Sequence, residues 1–159
     1  MQIDPSDLVV PPPTPTAETL PFWQAGERGE FLLQRCADCG RWVFYPRALC
    51  PHCWSDALEW REASGRGVVR SFTVIHKPGH PAWSIATPYT VAALDLDEGP
   101  RMLTALVGIE PENVRVGMPV RVQWTRVGDW SLPFFTPATA EGSAELAAPS
   151  EGRDITRGT

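Results

Sequence analysis

Lysine is almost missing from this chain of 159 residues: Lys77 is the single one, and the other basic residues are arginines scattered along a sequence of net charge −5. Proteins that bind nucleic acid without sequence preference need a basic stripe to replace the counterions on the phosphates. The charge balance therefore argues against that class, although a local patch stays compatible with it. Long apolar runs are also missing, and none approaches the roughly 20 residues that a membrane-spanning helix requires. The first residues, MQIDPSDLVVPPPTPT, show neither a basic n-region nor a long apolar h-region, so they do not read as a signal peptide. No G-x-S-x-G nucleophile elbow and no phosphate-cradling glycine loop occurs. The expectation is a cytoplasmic protein, and in that compartment four cysteines are more often metal ligands than disulfides.

What is present falls into five stretches. Residues 1–16, with Pro5, Pro11, Pro12, Pro13 and Pro15, read as an extended arm with few groups able to form a core. Residues 17–30 read as a short helical segment, opened by Thr16 or Thr19, shortened by Pro21 and stopped at Gly26 or Gly29. Its Phe22 and Trp23 are packing residues or an aromatic face for a partner. Residues 31–63 hold the cysteines. Gly65 and Gly67 mark a boundary after which β-branched and aromatic runs follow one another over 64–137: Val68–His76, Tyr89–Leu96, Met102–Ile109 and the alternating Val120–Trp124, with Phe134 and Phe135 closing the set. Asp97-Glu98-Gly99-Pro100 and Val116-Gly117-Met118-Pro119 supply turns. About five strands without a long helix suit a small barrel, separated by the glycines from a second core in the cysteine module. Residues 138–159, rich in Ala, Glu, Ser and Gly, read as a disordered tail.

Cys36, Cys39, Cys50 and Cys53 are spaced C-x2-C-x10-C-x2-C. Each C-x2-C forms a knuckle that turns two thiolates to one side, and two knuckles complete the tetrahedral sulfur set of Zn²⁺. Gly40 follows the first knuckle, where a left-handed backbone is often needed; Trp54 occupies that place in the second, which predicts a less regular geometry there. Four thiolates leave no open coordination position, so one structural zinc is expected, its binding energy standing in for the core that so short a segment cannot build. Iron in a rubredoxin-like centre takes the same ligands and remains the alternative, as do, more remotely, two disulfides. His52, inside the second knuckle, is read as a solvent-facing loop residue, the alternative being a ligand.

No other constellation reads as an active site. His76 and His80 lie in HKPGHPAW, where they are acid–base groups or phosphate contacts on one reading and loop residues on the other. Asp95, Asp97 and Glu98 sit where a hairpin turn would place them. Among seven tryptophans, Trp42, Trp54 and Trp60 surround the cysteines as a candidate substitute core. Trp83 and Trp130 fall in predicted loops and, with Phe134, are candidate ligand- or partner-binding residues.

The order of motifs is distinctive: C-A-D-C-G, P-R-A-L-C-P-H-C, Leu58-Glu59-Trp60, Ser64-Gly65-Arg66-Gly67, Pro88-Tyr89-Thr90-Val91-Ala92, Gly117-Met118-Pro119-Val120 and Pro133-Phe134-Phe135-Thr136-Pro137. In this order, over about residues 17–137, the chain resembles the DUF35 family. That resemblance implies a mainly β protein: a short N-terminal helix, a rubredoxin-like zinc ribbon and a five-stranded OB-fold barrel. It further implies a noncatalytic accessory subunit of a thiolase-like acyl-CoA enzyme, such as the lipid-transfer-protein-like aldolases of steroid side-chain degradation. The catalytic groups would then belong to the partner, and this chain would support assembly and help line the path of a CoA thioester. The competing hypothesis is a nucleic-acid-binding module, since zinc ribbons and OB barrels both serve that role. A self-sufficient acyl-transfer enzyme lacks a nucleophile outside the cysteines.

Overall fold

A computed structural model describes residues 5–138. The predicted disordered tail lies outside the described residues except for Ala138, whose N–H donates to the Pro119 carbonyl at 3.0 Å.

The arm is extended beyond a short turn at Pro5–Asp7, as its prolines dictate. It is not without core groups, however. Leu8 is only 4% exposed and packs with Val107, Val127 and Phe134 on the barrel. Leu8 opens the apolar triplet Leu8-Val9-Val10, which is too short to show a periodicity. Helix α1 covers Leu20–Glu27, with Thr19 at the N-cap and Pro21 in the first turn, where its missing N–H costs nothing. The Thr19 hydroxyl accepts from the Thr16 N–H at 2.9 Å and so closes the turn before the helix instead of capping it. Phe22, Ala25 and Gly26 form the buried face. Phe22 meets Trp124, Phe31 and Phe44 at ring-centre distances of 5.6, 6.0 and 6.0 Å. This fixes it as a packing residue.

Three short strands follow: β1 (Leu32–Cys36), β2 (Trp42–Val43) and β3 (Leu58–Glu62), antiparallel in the order β2-β1-β3. The remaining strands are β4 (Arg66–Ile75), β5 (Tyr89–Leu96), β6 (Arg101–Leu106), β7 (Pro119–Val127) and β8 (Trp130–Pro137). They close a barrel in the order β4-β5-β6-β8-β7, the five-stranded arrangement of an OB-fold. β5 alternates half-buried and buried residues along its whole length, as period-2 patterning requires. Closure is made by antiparallel β4–β7 pairing and by a parallel contact of Leu106 with Phe135. Trp130 is not in a loop. It opens β8 opposite Val127 across a two-residue turn, Gly128-Asp129.

Nor do Gly65 and Gly67 divide two cores. Phe22 from α1 and Phe31 and Leu33 from the ribbon belong to one buried cluster with Val69, Leu94 and Phe135 of the barrel. Trp42, Phe44 and Trp60 pack against the same cluster. The ribbon keeps only a small cluster of its own, Cys36, Val43 and Cys50 with Leu58, and shares the rest of its apolar surface with the barrel. Trp54, by contrast, is 78% exposed and supplies no substitute core.

Candidate metal centre

The cysteines lie in two turns built alike. Cys36 ends β1, and the Gly40 N–H bonds back to its carbonyl at 2.9 Å; in the second turn the Trp54 N–H bonds to the Cys50 carbonyl at the same distance. The Cys36 and Cys50 N–H groups are returned by the Arg41 and Ser55 carbonyls at 2.9 and 2.8 Å. Gly40 and Trp54 both take left-handed backbone, φ 72° and 64°. The second knuckle is therefore as regular as the first, against the expectation from its tryptophan. Side chains tie the turns together: the Ser55 hydroxyl donates to Asp38 at 2.5 Å, and the Ala57 N–H donates to that hydroxyl at 3.0 Å.

All four sulfurs lie within 4.8 Å of one another, with Cys36 to Cys53 at 3.6 Å and Cys39 to Cys50 at 3.7 Å. These separations are far beyond a covalent S–S bond of about 2.05 Å, and all four thiols are free, so the disulfide alternative falls. They match the edge of a sulfur tetrahedron, about 3.8 Å for Zn–S bonds of about 2.3 Å. Cys36 and Cys50 are buried, whereas Cys39 and Cys53 face outward.

The electrostatics favour a cation in the centre. Burial pushes the Cys50 thiol up, but N–H groups of His52 and Cys53 and hydrogen bonds from the neighbouring thiols bring it to about 7. At Cys53 the Ser55 N–H pulls down, yet burial and the three other thiols outweigh it and push the group up to about 12. Four thiolates this close repel one another, and a divalent ion removes that repulsion while using every sulfur. The donor set thus fits a structural metal with no position left for a substrate. His52 is outside it: exposed, with Nδ1 accepting from the Arg41 guanidinium at 3.1 Å.

The other candidates separate into two places. Trp83, on the short turn Pro81–Ala86, stacks on Tyr89 at 5.0 Å and meets Phe134 edge-on at 6.4 Å. The three rings, with Leu106 and the arm residue Leu8, line a small apolar cavity of about 60 Å³. Trp130 is elsewhere, edge-on to Trp23 of α1 at 6.1 Å. His76 is exposed just beyond β4. The His80 Nδ1 accepts from the Ala82 N–H at 3.1 Å, so it caps the turn that carries Trp83. Sequence reasoning missed Tyr89 and Leu8 as members of this surface. Tyr89 stood in a strand motif that could have marked it; Leu8 lay in an apolar triplet, Leu8-Val9-Val10, too short to show a period. Among the described residues the four cysteines form the one group of three or more His, Cys, Asp or Glu side chains placed to hold a metal ion.

Comparison with known proteins agrees with this geometry. Residues 23–59 match the family model of the ChsH2 rubredoxin-like zinc ribbon domain, and residues 60–125 match that of the ChsH2 C-terminal OB-fold domain. A DUF35 domain-containing scaffold protein of Methanothermobacter thermautotrophicus is 32% identical over 112 residues, which cover 69% of this chain and 84% of that protein. The chain belongs to the DUF35 family. A solved structure described as the Ltp2-ChsH2(DUF35) aldolase superposes with a TM-score of 0.73 at 38% identity, covering 80% of this chain and all of the matched chain. A probable enoyl-CoA hydratase alpha subunit of Thermomonospora curvata is 41% identical over 122 residues, which cover 76% of this chain. The match spans only 38% of that relative's length. The four cysteines are thus those of a DUF35 zinc ribbon. Among the described residues no helix is long and apolar enough to cross a membrane.

Proposed function

We propose that this chain is a noncatalytic scaffold subunit. It pairs with a thiolase-like, lipid-transfer-protein-like catalytic subunit acting on CoA thioesters, of the aldolase, lyase or thiolase type, with steroid or lipid side chains as the substrate class. The observation that carries this reading is the closed set of four sulfurs on a ribbon whose Phe31 and Leu33 are buried in one cluster with the barrel. Its metal, one zinc per chain, is structural: it fixes the ribbon against the OB-fold and has no coordination position at which to polarise a thioester. The names of the similar proteins, an aldolase formed with a DUF35 chain and a hydratase alpha subunit, support a role within a heteromer. The aromatic surface of Trp83, Tyr89 and Phe134 and the separate Trp130 edge are the proposed contact or substrate-facing surfaces, and the cytoplasm is the proposed compartment.

The test is coexpression with a thiolase-like protein encoded beside it. A stable complex whose acyl-CoA turnover needs this subunit, while the isolated chain is inactive, is the expected result. An isolated chain that turns over acyl-CoA by itself, or failure of every such partner to bind, would overturn the proposal.

A further inference from the structure

Strand alternation puts Tyr89, Val91, Ala93 and Asp95 of β5 on the outer face of the barrel. Ala105 and Leu103 of β6 stand beside them, opposite Val91 and Ala93. At one end this apolar strip is covered: Trp83 stacks on Tyr89, and Ala105 packs against the cluster around Leu8. At the other end it is bare. Leu103, in the middle of β6, is 71% exposed, and Val68 of β4, opposite Asp95, is 40% exposed. An exposed leucine alone would need no explanation. Its surroundings do.

The bare end is rimmed by arginines. Arg70 and Arg101 share one carboxylate, reaching Asp95 at 3.2 and 3.1 Å. Arg66 and Arg121 stand directly opposite each other on β4 and β7, both exposed. Neither guanidinium enters an ion pair among the described residues. Like charges directly opposite across two strands are destabilising, yet two sit here in a chain of net charge −5. Four arginines around one aspartate leave the face cationic. A charge pair that weakens the isolated chain and points outward gains its compensation from an anionic surface laid over it.

What else the face holds decides which anion. Nucleic acid needs rings on which bases stack, and the outward positions of these four strands carry no aromatic side chain around the arginines; Tyr89 lies at the far end beneath Trp83. Asp95, in the midst of the rim, would also repel a phosphate. A second copy related by a twofold axis would set arginine rim against arginine rim. A protein surface with an apolar centre ringed by carboxylates meets Leu103 and Val68 with the one part and the arginines with the other.

We infer that the outer face around Leu103, with its rim of Arg66, Arg70, Arg101 and Arg121, docks an acidic surface of the catalytic partner and continues the Trp83 surface along β5. That the partner is the catalytic subunit rests on the proposed function. That it is an acidic protein surface rests on the face itself.

The experiment follows association of the full zinc-loaded chain with the purified thiolase-like protein encoded beside it, by surface plasmon resonance over a range of salt. Wild type is compared with Leu103→Thr, which keeps a strand-forming residue, and with Arg66→Gln/Arg121→Gln. Leu103→Thr should weaken binding about tenfold, chiefly by faster dissociation. The arginine variant should associate several-fold more slowly and with a flatter salt dependence. Its isolated chain should hold or raise its thermal midpoint, since a like-charge pair is gone, and a merely structural role for the arginines would lower it. Poly-L-glutamate and a single-stranded oligonucleotide, titrated at low salt, read the face without the partner; poly-L-glutamate should bind, and several-fold less well in the arginine variant. Unchanged association in both variants, a wild-type dimer that Leu103→Thr dissolves, or an oligonucleotide that binds more tightly than poly-L-glutamate would overturn the inference. A wild-type chain that binds poly-L-glutamate through the arginines but no thiolase-like protein sinks the scaffold reading and leaves the acidic-surface assignment standing. Partner binding that both variants leave intact sinks the face alone.

Discussion

Gly40 and Trp54 occupy equivalent positions in the two metal knuckles and share a left-handed backbone, φ 72° and 64°. For glycine this conformation is free of strain; for tryptophan it brings Cβ against the backbone at a cost of about 1–2 kcal/mol. The Trp54 ring is largely exposed and recovers little of that by burial. Trp54→Gly should therefore raise stability by about 0.5–1 kcal/mol, after the greater freedom of glycine in the unfolded chain is deducted. Denaturant unfolding of the zinc-loaded protein checks this, and a loss of stability would mean that the ring makes contacts the exposed position does not suggest.

Cys39→Ser tests the shared core. It removes a sulfur from the set and should release the metal. Because Phe31 and Leu33 are buried in one cluster with Val69, Leu94 and Phe135, ribbon and barrel should lose stability together in one transition at a lower midpoint. Far-ultraviolet dichroism and tryptophan fluorescence followed on the same samples are the measurement. Two separated transitions would restore the division at Gly65–Gly67 that the sequence suggests.

Much of this architecture was legible in the chain. β5 was readable to its ends because its run of strand-forming residues stops at the turn Asp97-Glu98-Gly99-Pro100, and the C-x2-C pairs announced the knuckles because thiolate spacing is local. The reading failed where tertiary contacts decide. The glycines at 65 and 67 looked like a linker, yet the apolar residues on either side of them reach one core. Trp130 looked like a loop residue because a two-residue turn leaves little mark between it and Val127.

Gly26 and Trp124 define the tightest helix–barrel approach. A Cβ on Gly26 would lie 2.5–2.9 Å from three atoms of the Trp124 ring, and that ring is held by Phe22 and Phe31 at 5.6 and 6.2 Å. Gly26→Ala should cost about 1–3 kcal/mol by overpacking, despite the better helix propensity of alanine. Trp124→Phe in the same chain should recover part of the loss. Additive effects in that double-mutant cycle would show that the two sites do not touch.

Glu27 gives stability a pH dependence. Its carboxylate accepts the Ser131 N–H at 2.6 Å and pairs with Arg126, binding α1 to the β7–β8 hairpin. The Ser131 N–H, with help from Arg126, holds its pKa below the ordinary 4.5. A carboxylate whose folded pKa is depressed contributes stability that is complete above the unfolded value and is lost as pH falls through the folded one. The urea midpoint should thus fall below pH 4.5, and Glu27→Gln should flatten that decline while lowering stability at pH 7. An unchanged acid slope would place the dependence on other carboxylates, Asp95 first, which Arg101 and Arg70 also hold below its ordinary value.

Trp83 and Trp130 anchor two separate aromatic surfaces. Trp83 packs on Tyr89 and Phe134 beside the arm residue Leu8, whereas Trp130 packs on Trp23 at the helix. If the Trp83 surface faces the catalytic partner or its acyl-CoA substrate, Trp83→Ala should lower complex yield or turnover several-fold while leaving zinc content unchanged, because its contacts lie in the barrel and arm and not in the ribbon. Trp130→Ala should first loosen α1, seen as a lower thermal midpoint of the isolated chain, and affect assembly only in proportion. Leu8→Asp supplies the control: it should free the arm and alter the same cavity without removing a ring. Equal loss of assembly in Trp83→Ala and Leu8→Asp would assign the effect to the docked arm. Loss in Trp83→Ala alone would assign it to the indole, and an unaffected complex in all three variants would move the partner surface off this side of the barrel.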